Sequence, residues 1–383
     1  MIIGIDASRA NHEQKTGVEG YAYHIIQELK KQETRNKKQT DNIQYVLYTD
    51  QPLKGELANL PRNWTQKVLR WWPRRFWTQI RLSLEMLLHP PDVLFIPAHV
   101  FPIIHPKKTV MTVHDVAALR FKEAYSWFER WYSIWSAKQA VKKLWKVIVP
   151  SEFTKSVLSS QFLALSSNNI IVIPHGYDER YMKDIRDSQD IEQILNRYSI
   201  CQPFLLSIGR LEEKKNTRRI IEAFSILKKN ISPISNISAN IQLVLIGKPG
   251  YGYQKVKEAI EKSPYKKDII IPGWVDNNDL PTVLEAAEVF VFPSLYEGFG
   301  LPVLEAFAAG IPVIASRETS LEEVGGQSVY LVAATDIQDI ASGIQEILSN
   351  SALRNQLSKE GLERLKQFSW QSAADKTLQT LLN

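Results

Sequence analysis

The sequence predicts an α/β protein built from two doubly wound parallel sheets. Three observations carry that prediction. Short, wholly apolar runs alternate with longer segments of helical periodicity. The pattern pauses over a charged stretch at residues 179–200 and then restarts, and a chain of 383 residues is too long for one hydrophobic core of ordinary size. Hydrophobic residues make up 44% of the chain and charged residues 23%, which excludes a disordered or fibrous class.

In the first half, MIIGID (1–6), IQYVLYT (43–49), DVLFIP (92–97), TVMTVHD (109–115), KVIVP (146–150) and NIIVIP (169–174) read as buried strands. Between the first two, the segment Gly17 to Lys31 carries Ala22, Ile25, Ile26 and Leu29 at helical spacing. Strand–helix alternation requires crossover connections and hence a parallel sheet, whose ligands gather beyond the carboxyl ends of the strands. Two of those ends carry candidate chemistry. The loop after the first strand runs into Gly17-Val18-Glu19-Gly20, where a helix start without Cβ atoms admits an anion or a sugar close to the backbone. His114 closes the strand 109–115, where its ring can hydrogen-bond a sugar hydroxyl or a developing charge without acting as a base. Each pattern is equally that of an ordinary helix start and of a surface histidine.

Two segments of this half combine aromatic with basic residues. Residues 63–92 mix Trp64, Trp71, Trp72 and Trp77 with Arg70, Arg74, Arg75 and Arg81. Residues 128–146 place Phe128, Trp131, Tyr132 and Trp135 at helical spacing and end in Lys142, Lys143 and Lys146. Residues 1–180 hold 25 Lys and Arg against 16 Asp and Glu, whereas the remainder holds 22 against 25, so the positive excess belongs to the first half. Three readings fit: a surface resting on anionic lipid, a platform for single-stranded nucleic acid, or helices with aromatics in the core and basic residues in water.

Residues 179–200 read as a connection between domains, dividing the chain into 1–178 and 179–368. The second half restarts with PFLLSIG (203–209), after which Arg210 and Lys215 offer a planar fork and a point charge to one diphosphate, with Lys214 as the adjacent competitor. The strand IQLVLIG (241–247) ends beside Lys248, a further phosphate or base contact. The richest stretch is SLYEGFGLPVLEAFAAGIPVIAS (294–316), set between the strands VFVFP and PVIAS. Gly298 and Gly300 permit a sharp turn, Pro302 suits a first helical position, and the N–H groups of Phe299, Gly300 and Leu301 offer a positive helix end to a phosphate. Glu297 and Glu305 flank the turn; since a carboxylate repels a diphosphate, they suit sugar and ribose hydroxyls.

Glu297 and Glu305, with seven residues between them inside EGFGLPVLEA and followed by GIPVIAS, resemble the Glu-x7-Glu signature of the family 4 retaining glycosyltransferases. The likeness runs along essentially the whole chain. It implies the B-type glycosyltransferase fold (GT-B), two Rossmann-like domains with parallel sheets facing an interdomain cleft. Residues 1–178, joined by the last helix at about 369–383, would be the acceptor domain, and 179–368 the nucleotide-sugar domain. It further implies transfer of a mannose- or glucose-like hexose from a nucleoside-diphosphate sugar to a hydroxyl of a growing, lipid-linked glycan in cell-surface polysaccharide synthesis. In that resemblance Arg210 and Lys215 neutralise the donor phosphates, Gly17 faces them, His114 and Glu297 hold the sugar, Glu305 the ribose, and the backbone at Val275 reads the nucleobase. His175 stands where the family usually carries Asn, a departure from the pattern.

No two aspartates stand two positions apart, so the Asp-x-Asp metal site of the other main glycosyltransferase fold is missing; metal-independent chemistry with no tightly bound cofactor is expected. The lone Cys201 excludes an internal disulfide and favours a reducing compartment. The chain opens directly on a strand and its longest apolar stretch, 93–104, is too short to span a bilayer. A cytoplasmic location is therefore expected, at the inner face of the plasma membrane, with peripheral contact through the basic aromatic half and no nucleic-acid partner. The competing classes are a non-hydrolysing sugar-nucleotide epimerase of the same architecture and a nucleic-acid-binding protein using the basic half.

Overall fold

The computed structural model describes every residue except 13, 14, 16, 36–41, 73–75, 99, 163–168, 183–187 and 232–238, and the side chains of 33 and 34. Arg74 and Arg75 thus lie outside the described residues. The chain divides into two compact units, Met1–Gly176 with Phe368–Asn383, and Tyr177–Gln367.

The first unit is a seven-stranded parallel sheet in the order β3-β2-β1-β4-β5-β6-β7. Its strands are β1 (Ile2–Asp6), β2 (Gln44–Thr49), β3 (Trp64–Val68), β4 (Val93–Ile96), β5 (Thr109–Thr112), β6 (Lys146–Val149) and β7 (Ile170–Val172). Six of them are the apolar runs of the sequence. The seventh, β3, falls inside the first aromatic–basic segment and escapes notice because WTQKV is a polar edge strand with little apolar signal. Trp64 anchors it, buried and stacked on Tyr45 of β2 with ring centroids 4.2 Å apart.

Helix α1 (Gly17–Arg35) begins at the glycines after β1. A helical segment, α2, runs from a π-helical Trp77–Leu82 into Ser83–Leu88. Helix α3 (Trp127–Lys143) starts at a capping box in which Ser126 and Glu129 satisfy each other's backbone N–H. The last helix of the chain (Trp370–Leu382) packs on α1, its start capped by Ser369, whose Oγ accepts from Ser372 N at 3.0 Å.

The second unit is a six-stranded parallel sheet in the order β10-β9-β8-β11-β12-β13. Its strands are β8 (Phe204–Ile208), β9 (Gln242–Ile246), β10 (Ile269–Gly273), β11 (Val289–Phe292), β12 (Val313–Ser316) and β13 (Tyr330–Val332). Leu205, Leu243, Leu245, Val289 and Val291 are fully buried between the sheet and its covering helices. In each sheet the strand order changes direction beside the first strand, at β1/β4 and at β8/β11, the position where open α/β sheets leave a crevice for ligands.

Residues 179–200 correct an expectation. They are not merely a connection: a turn at Glu179–Tyr181 and a helix at Ser188–Arg197 belong to the second unit, with Tyr181, Leu195 and Ile200 buried. The many charged residues of the stretch concealed Ile191, Ile194, Leu195 and Tyr198, which follow the spacing of an amphipathic helix.

Gly176 marks where the last helix sits down on the first unit. A Cβ built there would lie 2.1 Å from the backbone N of Trp370. Gly176→Ala is expected to cost about 1–3 kcal/mol through overpacking, lowering Tm by roughly 2–4 °C for each kcal/mol in a unit of this size. Calorimetric melting checks it; an unchanged Tm would show that the helix start yields freely.

Candidate active site

The candidate chemistry of the second unit lies on the connections that leave the carboxyl edge of its sheet. Strands β8 and β9 end in Gly209 (φ 150°) and Gly247 (φ 148°), backbone conformations that favour glycine. A Cβ on Gly247 would lie 1.9 Å from Gly209 O, so the two strand ends are pressed together. A Cβ on Gly209 would meet Lys215 Cε at 3.3 Å, because the lysine stem packs along that bare backbone.

This packing carries Lys215 across the switch point to the loop after β11. Its Nζ lies 2.5 Å from Glu297 Oε1 and 4.8 Å from the Phe292 ring centroid. The two side chains are 18% and 10% exposed, so the pair is largely covered yet still open to solvent on one side. Arg210 behaves differently: its side chain is 67% exposed and its Nε lies 3.6 Å from Glu212 Oε2. Leu211 N donates to Lys248 O at 3.0 Å, and Gly247 N to Gly273 O at 3.2 Å, which aligns the ends of β8, β9 and β10. Lys248 Nζ lies 4.9 Å from the Trp274 ring centroid, and the Val275 side chain beside it is buried.

Two residues that sequence reasoning missed hold this loop in place. Asn216 adopts a left-handed φ of 62° before the helix Thr217–Asn230, and its Nδ2 donates to Pro293 O at 2.9 Å and to Ala334 O at 2.6 Å. Ser320 is buried and donates from Oγ to Glu297 O at 2.9 Å or to Phe299 O at 3.1 Å. The sequence offered only weak signals for them, an Asn at a helix start and a Ser among others.

Gly300 (φ 111°) is the cap of the helix Leu301–Ala308, and a Cβ there would lie 2.3 Å from Leu321 Cδ2. Leu301 is thus the first helical residue and Pro302 the second, one position later than expected, because the glycine cap completes the turn before the proline. Gly298, Phe299 and Gly300 are buried and Leu301 is half-buried, a tighter setting than the open helix end read from the sequence.

Glu305 lies further along this helix and does not join Glu297; its charged neighbours are Asp178 and Arg180. Burial, reinforced by the Asp178 carboxylate and opposed by Arg180, pushes its pKa up from 4.5 to about 7.

In the first unit, Gly17 opens α1, and no described atom lies within 4 Å of a Cβ built there. His114 Nε2 donates to Pro97 O at 2.9 Å, and its Nδ1 faces His175 Nε2 at 3.4 Å. Both nitrogens of the half-buried ring thus have protein partners, and a sugar hydroxyl would have to replace one of them. His175 is buried against Tyr21 and stacked on Trp370, with centroids 4.5 and 5.7 Å away. Burial and the neighbouring His114 hold its pKa well below 6.5, so it is a neutral packing element. Replacing Asn216 by Ala is expected to cost about 1–3 kcal/mol, since one buried and one partly buried carbonyl lose their donor. Asn216→Gly, which keeps the left-handed backbone free of strain, should recover only part of that loss in denaturant unfolding.

Comparison with known proteins completes the picture. The family model described as Glycosyltransferase Family 4 matches residues 16–181, and that described as glycosyl transferases group 1 matches 191–364. The O-antigen chain mannosyltransferase B of Escherichia coli is 27% identical over 307 residues, covering 80% of this chain and 76% of that protein. The serotype-specific mannosyltransferase WbdA of E. coli is 27% identical over 271 residues, 70% of this chain, and the match spans 32% of WbdA's own length. Among solved structures, Anabaena Alr3699/HepE in complex with UDP and glucose superposes with a TM-score of 0.71 at 16% identity, over 100% of this chain and 99% of that one. The two Rossmann-like units are accordingly those of the B-type glycosyltransferase fold, and the chain belongs to the family 4 glycosyltransferases.

Proposed function

We propose that the protein is a retaining, metal-independent hexosyltransferase. It moves a mannose- or glucose-like sugar from a nucleoside diphosphate to a hydroxyl of a growing glycan in cell-surface polysaccharide synthesis. The named mannosyltransferases it matches support transfer to a glycan and give no support to epimerisation. HepE, whose structure holds UDP and glucose, supports a nucleotide-sugar donor. The acceptor is lipid-borne, and the enzyme works in the cytoplasm at an anionic membrane surface.

The observation that carries the proposal is the Lys215–Glu297 pair at the switch point of the second sheet. Before the donor arrives, cation and carboxylate neutralise each other. A bound sugar diphosphate supplies each with a better partner, phosphate oxygens for Lys215 and sugar hydroxyls for Glu297. As the glycosyl bond breaks, charge grows on the leaving diphosphate, and fixed cations stabilise that state more than the intact donor. Arg210 adds a mobile guanidinium from the neighbouring loop, and Lys248 a further cation. The backbone around Phe299, Gly300 and Leu301 flanks the phosphates, and the main chain at Val275 meets the nucleobase. Attack by the acceptor on the face the leaving group vacates, guided by a phosphate oxygen, retains the anomeric configuration.

Incubation with a panel of UDP- and GDP-hexoses, with and without EDTA, tests the reaction by nucleotide release, and NMR of the first-formed product tests retention. No release from any donor, or release abolished by EDTA, would overturn the proposal or its metal-independent part. Lys215→Ala is expected to lower kcat about 10²–10³-fold, as removal of one transition-state donor does. Arg210→Ala should lower it less, because that side chain is held only loosely, with Tm nearly unchanged.

Glu305 gives the site a pH signature. Its native pKa lies above the ordinary value, so its contribution to stability is complete below pH 4.5 and lost as pH rises through about 7. Ribose hydroxyls donating to the carboxylate favour the ionised form, so nucleoside diphosphate binding should release a proton in that window. Affinity should fall up to about tenfold per pH unit as pH drops below 7. Calorimetry in buffers of different ionisation enthalpy reads the proton directly. Glu305→Gln should abolish the release; a release that persists in the variant assigns it to another group.

A further inference from the structure

Two helices of the first unit carry their polarity inside out. The buried side of α3 consists of the small or aliphatic residues Ser136, Ala137, Ala140 and Val141. Its outer side presents Trp127 (80% exposed), Phe128 (47%) and Trp131 (50%) to solvent. At helical spacing Phe128, Trp131, Trp135, Lys138 and Lys142 form one stripe, aromatic in its first half and cationic in its second. On α2 an acid, Glu85, is buried beside Trp77, Leu82 and Met86, while three of the four leucines are outside. Glu85 is buried and neutralised by Lys67, by Arg81 at 3.4 Å and by His89 at 3.2 Å when that ring is protonated. Ile80, Leu84, Leu87 and Leu88 face water. The sequence admitted the opposite arrangement, aromatics in the core and basic residues outside; Trp64 and Trp77 obey it and α3 does not.

The two helices form one face. Gln79 Nε2 of α2 donates to Tyr132 OH of α3 at 2.7 Å. The loop between β4 and β5 exposes Ile103 and Ile104, with Ile104 N donating to Ser83 Oγ of α2 at 3.3 Å and Phe101 stacked on Trp135 of α3. Among the described residues, eleven of the sixteen exposed large hydrophobic side chains fall between Trp72 and Trp131, so the apolar surface is concentrated, not scattered. The same region is the most basic of the chain: residues 61–146 hold 15 Lys and Arg against 5 Asp and Glu, in a protein with 47 against 41 overall.

We infer that this face docks the first unit on an anionic lipid bilayer. Trp127, Phe128 and Trp131 enter the headgroup layer, the aliphatic side chains of α2 and the 103–104 loop reach the acyl boundary, and Lys138 and Lys142 meet lipid phosphates. The chemistry selects this occupant over others. Isoleucine and leucine have no π-face on which a nucleobase can stack. A second copy would bring an equally positive face against this one. A bilayer with anionic headgroups satisfies aliphatic, aromatic and cationic groups in one layered arrangement. The inference deepens the proposed lipid-borne acceptor, and rests on that reading, by naming the surface that meets its membrane.

The test is co-sedimentation of the full chain with vesicles of phosphatidylcholine, alone or with phosphatidylglycerol, at two salt concentrations. The protein is expected to bind the anionic vesicles and to release with salt. The variant Trp127→Ser/Phe128→Ser/Trp131→Ser, altered only at exposed positions, should lose at least about tenfold in binding, and Lys138→Glu/Lys142→Glu should lose the preference for phosphatidylglycerol. Both should keep wild-type release of nucleotide from the donor. Failure of the wild-type protein to bind anionic vesicles, or undiminished binding by the aromatic variant, overturns the docking face while leaving the transferase reading intact. An oligomer that the aromatic variant dissociates in light scattering, or oligonucleotide binding that it abolishes, overturns it in favour of a second copy or a nucleic acid. Absence of nucleotide release by all three proteins would instead count against the transferase reading.

Discussion

The ammonium of Lys215 and the carboxylate of Glu297 meet where the second sheet changes direction, and much of the surrounding structure exists to make that meeting possible. Gly209 and Gly247 remove the side chains that would separate two strand ends, which lets the lysine stem lie flat and reach across. Asn216 ties the lysine's loop to the ends of β11 and β13, and Ser320 holds the backbone of Glu297 from the far side. A largely covered ion pair contributes little net stability, since desolvation offsets attraction. Its value is positional: two opposite charges are held side by side at the switch point of the sheet.

Much of this was legible from residues alone, and the reasons differ by element. The strands of both sheets were visible because parallel strands buried on two faces are continuous apolar runs. Two strands escaped, Trp64–Val68 and the three-residue Tyr330–Val332; both lie at an edge, where burial on both faces is not required and the apolar signal fades. The helix Ser188–Arg197 escaped for a related reason, since a few apolar positions suffice to seat ten residues while the stretch as a whole still looks like a linker. For the candidate site, Lys215, Glu297 and Glu305 were singled out from the loop chemistry and the family likeness. Their pairing was not, because Lys215 and Glu297 are 82 positions apart and only the sheet order makes them neighbours. Asn216 and Ser320 act through backbone carbonyls, which leaves no mark on which side chain a reader would single out.

The basic, aromatic region shows where sequence periodicity stops being informative. A stripe of Phe128, Trp131 and Trp135 defines a face but not its direction, and small residues on the opposite side of α3 are an equally good core when the sheet comes close. Helix α2 gives the companion lesson: a glutamate can be buried when three basic groups converge on it, while Leu84, Leu87 and Leu88 of the same helix face outward. Neither outcome is set by composition; both are set by the neighbours the fold supplies.

The placement of the last helix has a further consequence. Because Phe368–Asn383 completes the first unit, the whole of Tyr177–Gln367 is spliced into that unit as an insertion. On the ribosome, the first sheet therefore emerges long before the helix that covers α1, and the groove awaiting Trp370 stays uncovered while the intervening residues are synthesised. The inserted unit has all its segments in hand first. Completion thus runs from the inside out: the inserted unit has its whole sequence in hand first, whereas the surrounding sheet waits for Phe368–Asn383, so removing those residues would damage a unit whose strands all precede Tyr177.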